Sequence, residues 1–249
     1  MDPLILFVIA GALIAGFVQG LSGFGFSLTA MALWAWTLDP RLAAVLAVFG
    51  SLTGQVFAAV TVRRGFDLQR LLPFVLGGLA GLPVGIWLLP QLDAALFKAL
   101  LGSVLVIVCP MMFFAHRLPR VTHGGRVADA ASGVAGGVLG GLGGFTGVVP
   151  TLWCTLRGYE KDVQRSVIQN FNLATLAAIF AGYVATGLVR REDLPLFAML
   201  VPAVLVPVFF GARLYIGISD VAFRKVVLGL LFASGLAMLI AAVPVLMSR

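Results

Sequence analysis

Gly20-Leu21-Ser22-Gly23-Phe24-Gly25 and Gly141-Leu142-Gly143-Gly144-Phe145-Thr146 break two apolar stretches of the chain with nearly the same string. Glycine weakens a helix and lets the backbone turn sharply. Lipid forbids unpaired backbone polar groups unless protein or a water-filled cavity surrounds them. Two such breaks, one in each half of the chain, read as a substrate site between two repeats.

Composition sets the frame around these strings. The 249 residues are 61% hydrophobic and 11% charged, with mean hydropathy +1.08. A soluble domain carries roughly 25% charged residues. The chain therefore reads as an all-α integral membrane protein, and a soluble catalytic domain is excluded. The segment from His116 to Asp129 has the polarity of a loop. Met1-Asp2-Pro3 lacks the basic start of a cleaved signal peptide, so the first apolar run is expected to stay as a membrane segment. Cys109 and Cys154 lie in or beside apolar runs and behave as small apolar residues. The net charge of +7 fits loop arginines that orient the chain in a bilayer; no basic and aromatic run points to nucleic acid.

Apolar runs bounded by charge or proline fall at 4–20, 22–37, 42–62, 71–90, 94–115, 129–142, 145–157, 166–188, 195–217 and 222–247. Most reach the ~20 residues needed to cross. The pieces beside the glycine breaks are shorter and suit half-helices or a re-entrant hairpin. The two halves superpose. Gly23-Phe24 falls on Gly144-Phe145 at an offset of 121, and Phe49 on Phe171 at 122. Asp67-Leu68 falls on Asp193-Leu194, Gly85 on Gly211 and Phe97 on Phe223, all at 126. The expected organisation is a first membrane repeat over 1–115, a cytoplasmic connecting loop over 116–128 and a second repeat over 129–249.

Orientation follows from the basic residues. If each broken pair returns to the side it entered, five lysines and arginines fall on one side and twelve on the other. The richer side is then cytoplasmic. Counting each broken pair as one crossing gives a weaker asymmetry. The favoured arrangement places both termini outside. It also makes the repeats inverted, each a glycine-broken pair followed by three transmembrane helices.

The breaks carry the chemistry. A helix that starts at mid-membrane presents unpaired N–H groups and a positive dipole end, a ready anion site. Ser22 and Thr146 stand at or near those starts, where a hydroxyl could cap the helix or donate to an oxyanion. The candidate substrate-binding residues are Ser22, Gly23, Phe24, Gly25, Gly143, Gly144, Phe145 and Thr146. Gln55, Asn170 and Asn172 join them, because polar side chains within spans should face protein or a cavity. Helix-to-helix hydrogen bonding is the bland account of the same side chains. For Gly81/Gly85 and Gly133/Gly137 the small-xxx-small pattern of packed membrane helices is preferred. All ten carboxylates lie at termini, loops or span edges, so no mid-membrane carboxylate offers a proton relay or a sodium site. No metal or cofactor is expected.

At these strings the chain resembles the TauE/SafE family, also called the sulfite exporter or toluene-sulfonate uptake permease family. The resemblance rests on the strings 16–25 and 137–150, on the Gly77–Gly85 run and on total length. It implies a bacterial inner-membrane carrier for sulfite or an organosulfonate, a small anion as its partner; with the termini placed in the periplasm by the basic residues, the expected mechanism is alternating access of that anion between the two repeats. Phe24 and Phe26 stand where the family commonly has small residues, which suits an organic sulfonate better than bare sulfite. A homo-oligomer stays open, as does a carrier or channel for another small anion, or a non-transporting assembly subunit. Gly20-Leu21-Ser22-Gly23 also spells the GxSG of rhomboid proteases. That chemistry needs a histidine beside the serine, and His116 and His123 both lie in the central polar segment. No enzyme is expected.

Overall fold

The structure is a computed structural model that describes residues 3–23, 25–61, 65–114, 120–214 and 220–248; of residues 214 and 220–224 only the backbone is described. Phe24 and His116 lie outside the described residues. Ten α-helices follow one another: α1 Pro3–Ser22, α2 Phe26–Trp34, α3 Pro40–Thr61, α4 Leu68–Leu88, α5 Ala94–Phe114, α6 Gly125–Gly143, α7 Val148–Leu156, α8 Lys161–Ala185, α9 Leu194–Leu214 and α10 Asp220–Met247. Each apolar run of the sequence has its helix. Among the described residues seven segments are long and apolar enough to cross a membrane, within α1, α3, α4, α5, α8, α9 and α10. The glycine breaks divide unequally: a helix of 20 or 19 residues precedes each break and one of 9 follows it. At 1.5 Å per residue the short helices span about 13 Å, half a hydrocarbon core. The sequence expectation of short pieces on both sides of each break is corrected at α1 and α6. Helix α6 also begins at Gly125 rather than at 129, because Gly125 and Arg126 dilute its apolar signal without breaking its backbone.

Helix packing pairs elements across the two halves. The most extensive contacts are α4 on α6, α5 on α10 and α1 on α9. Exchanging α1 with α6, α2 with α7, α3 with α8, α4 with α9 and α5 with α10 carries this set onto itself. Under the same exchange α4–α8 becomes α9–α3, and α1–α2 becomes α6–α7.

Glycine makes the closest of these pairings. A Cβ on Gly77, Gly81 or Gly85 of α4 would meet the carbonyl oxygens of Ala130, Val134 or Val138 of α6. In return a Cβ on Gly133 or Gly137 would meet those of Phe74 or Gly78. The two backbones touch, as small-xxx-small spacing requires. The α1–α9 seam is built alike, with Gly16 and Gly20 against Val204 and Val208, and Gly211 against Phe17. Large apolar side chains such as Ile14, Leu76, Trp87, Ile107 and Ile240 point outward, the arrangement of a bundle in lipid.

Candidate functional site

The site is built from the two breaks. Helix α1 ends with the Gly23 N–H donating to the Gln19 carbonyl at 2.7 Å, and α6 ends with Gly144 donating to Gly140 at 2.6 Å. Gly23 and Gly144 adopt φ of 77° and 79°, the left-handed conformation that closes a helix and suits glycine. The chain re-enters a helix after three residues at the first break and four at the second, with Gly25 and Gly147 as the N-caps of α2 and α7, and among the described residues no side chain caps either. The short helices thus start with their first N–H groups uncapped by side chains.

Both starts reach one small cavity of about 20 Å³. Gly25, Phe26 and Ser27 line it from the first break, and Gly144, Phe145, Thr146 and Gly147 from the second. Gln19, Ser51, Gln55 and Asn172 complete its polar lining. Ser27 and Ser51 share a 2.5 Å hydrogen bond, and Thr146 Oγ1 donates to Asn172 Oδ1 at 2.8 Å. Gln19 Nε2 donates to the Ser51 carbonyl at 3.2 Å and Gln55 Nε2 to the Gly23 carbonyl at 3.0 Å. A carbonyl can only accept, so each amide is held with its nitrogen on its partner. Oε1 of both glutamines is buried without a protein partner. These polar groups share the lining with Phe26, Leu28, Phe145, Val148 and Leu176; it carries no charge and has room for about one water.

A second cavity, of about 170 Å³, begins where the first ends, since Gly25 and Leu28 line both. Val18, Met112, Ile168, Leu228 and Leu231 form its apolar wall. Lys161 and Arg165, in the first turns of α8, line it as well. We call it the vestibule. The opposite end of the bundle is bridged by an ion pair. There Arg41 Nη1 donates to Asp193 Oδ2 at 2.8 Å and to the Leu188 carbonyl at 2.7 Å, and Nη2 reaches Asp193 Oδ1 at 3.3 Å. Along α3 the order from that end is Arg41, Phe49, Ser51, Gln55. Phe49 stacks on Phe197 at 4.3 Å between ring centroids and packs on Phe180 at 5.6 Å, so aromatic rings separate the ion pair from the small cavity.

The residues expected from sequence divide between these places. Gly25, Gly144, Phe145, Thr146, Gln55 and Asn172 meet at the small cavity, while Ser22, Gly23 and Gly25 line the vestibule. Gly143 packs behind, where a Cβ would meet Met31 and Phe145. Asn170 lines neither cavity and donates to the Ser166 carbonyl one turn back at 2.9 Å. The caps expected from Ser22 and Thr146 are replaced by other bonds: Ser22 Oγ donates to Val18 at 2.7 Å, within its own helix. Phe26 is buried, edge-on to Trp34. The exposed His123 bonds Thr122 and does not line the vestibule that Ser22 lines. Ser27 and Ser51 were legible only as polar residues near a break or in a span. Their pairing depends on α2 folding back beside α3.

The family model described as Sulfite exporter TauE/SafE matches residues 8–238. The chain belongs to the TauE/SafE sulfite exporter family. The match spans both breaks, the lining of both cavities, all of α2 to α9 and most of α1 and α10. Membership makes it a multi-pass membrane protein of a transporter family. No curated protein and no solved structure matches it.

Proposed function

We propose that this TauE/SafE protein carries a small sulfur-containing anion, an organosulfonate or sulfite, across the bacterial inner membrane by alternating access between two inverted repeats. The observation that carries the reading is the meeting of two half-helix starts, uncapped by side chains among the described residues, at one uncharged cavity. Ser22, Gly23, Gly25, Gly144, Phe145, Thr146, Gln55 and Asn172 surround the anion's path. Neutral donors and helix dipoles hold an anion without a buried cation, so it can leave again. The symmetric exchange of packing partners supports the duplication, and a break entered from each end of the bundle supports the inversion.

The end that bears Lys161 and Arg165 is the cytoplasmic one in this reading, with both termini periplasmic. The conformation is then inward-facing: the vestibule leads to the cytoplasm while Arg41, Asp193 and the phenylalanine cluster close the outside. Efflux of an anion from an inside-negative cell is driven by ~2.3 kcal/mol per charge per 100 mV, which needs no coupling carboxylate.

The test is flux of radiolabelled benzenesulfonate and of sulfite in proteoliposomes, with and without an imposed potential. Saturable, voltage-sensitive movement of either is expected. No movement of either from folded protein would end the reading.

A further inference from the structure

The half-helices carry a matched pair of threonines outside the break strings. Thr29 is the fourth residue of α2 and Thr151 the fourth of α7. Their offset of 122 is the one that relates Phe49 to Phe171. Threonine in a helix commonly donates to the carbonyl four residues back, and Thr53, Thr61, Thr155 and Thr186 all do so here. Thr29 and Thr151 have such carbonyls at Gly25 and Gly147, which already accept their backbone N–H groups at 3.0 Å. Among the described residues neither hydroxyl has a partner, although Thr29 and Thr151 are only 8% and 5% exposed. An unpaired buried hydroxyl destabilises a fold, and the same defect occurs at the same place in both halves. Both residues line the vestibule.

We propose that the Thr29 and Thr151 hydroxyls donate to the oxyanion head of the carried substrate, while the vestibule wall holds an apolar body of about benzene size. The inference rests on the anion-carrier reading and deepens it. The head lies against the first turns of α2 and α7, where the helix ends favour negative charge. The body lies against Val18, Met112, Ile168, Leu228 and Leu231. A dry apolar cavity of about 150 Å³ binds benzene, and the vestibule offers about 170 Å³. Sulfite would occupy only the head end and leave that wall uncovered. Lys161 and Arg165 draw the anion into the mouth.

The experiment replaces each hydroxyl by a methyl group of nearly the same shape, in Thr29→Val, Thr151→Val and the double variant. Benzenesulfonate and sulfite uptake into proteoliposomes is measured alongside thermal unfolding. Each single variant should raise KM for benzenesulfonate about tenfold or more, with a melting temperature equal to or above that of the parent. A hydroxyl that served the fold alone would instead lower it. Thr29→Ser and Thr151→Ser should restore the parent KM. Leu228→Phe, which fills the wall, should depress benzenesulfonate uptake and spare sulfite. Unchanged KM in the valine variants, or serine variants no better than valine, overturns the proposal while leaving the carrier intact. A parent protein that moves neither anion overturns both.

Discussion

At the residue scale, Gly23 and Gly144 share a conformation but not a surrounding. Both have positive φ, which costs an L-residue roughly 1–2 kcal/mol. A Cβ on Gly23 would meet nothing within 4 Å, whereas one on Gly144 would run into Ser27 Oγ. Ser27 is the residue that joins α2 to α3 through Ser51 and Ala47. Gly23→Ala should therefore lose about 1 kcal/mol of stability and keep flux within a few-fold of the parent. Gly144→Ala should add the displacement of Ser27 and lower flux by more than about tenfold, since buried overpacking costs roughly 1–3 kcal/mol. Parallel melting curves and flux assays separate the two effects. Equal flux in both variants would show that Ser27 has no part in the path. The two strings look interchangeable in the sequence; their difference arises from Ser27 of α2, which packs against Gly144 and is remote from it along the chain.

At the scale of elements, glycine spacing gave two signals that the sequence alone tells apart poorly. In α4 and α6 it makes a seam, and in the breaks it makes an opening. The run Gly77–Gly85 and the stretch Gly133–Gly141 lie within unbroken helices, and the Cβ positions of Gly77, Gly81, Gly85, Gly133, Gly137 and Gly141 are filled by the facing backbone. Replacing Gly81 by leucine must push α4 off α6 or fail to fold. Gly229 of α10, with nothing within 4 Å of its Cβ position, serves as the control. Gly81→Leu should lose monodisperse protein in detergent, while Gly229→Ala should match or exceed the parent's melting temperature, as alanine is the better helix former by about 1 kcal/mol. Retention of a sharp, parent-like peak by Gly81→Leu would contradict a backbone-to-backbone seam. Helix positions were legible because apolar runs in a membrane chain have few alternative structures. The partner of each helix was not, because α1–α9 and α4–α6 join residues far apart in sequence through glycines that carry no label of their partner.

At the scale of the whole molecule, the packing pairs suggest which parts move together. Helices α1, α2 and α9 form one cross-repeat group and α6, α7 and α4 the other, each held by a glycine seam and each bearing one break. A rocking of one group against the other would close the vestibule and open the Arg41 end. In the proposed carrier cycle Arg41 and Asp193, with side chains only 17% and 3% exposed, would latch the end opposite the vestibule. Removing one partner of a buried pair strands the other charge, at roughly 3–5 kcal/mol. In Arg41→Gln that penalty falls on the closed outer end, because there Asp193 keeps its burial without its cation. A bias of about 3 kcal/mol changes a population ratio more than a hundredfold, enough to invert a balance between two access states. The readout is a single cysteine in the vestibule, Val227→Cys, with Cys109 and Cys154 replaced by alanine. A membrane-impermeant maleimide should label it from the cytoplasmic face of inverted vesicles, and adding Arg41→Gln should slow that labelling severalfold. Asp193→Asn, which removes the stranded charge's partner from the other side, should slow it in the same direction. If both substitutions leave the labelling rate unchanged in folded protein, the ion pair does not set which face is open, and closure of the outer end must rest on Phe49, Phe180 and Phe197 alone.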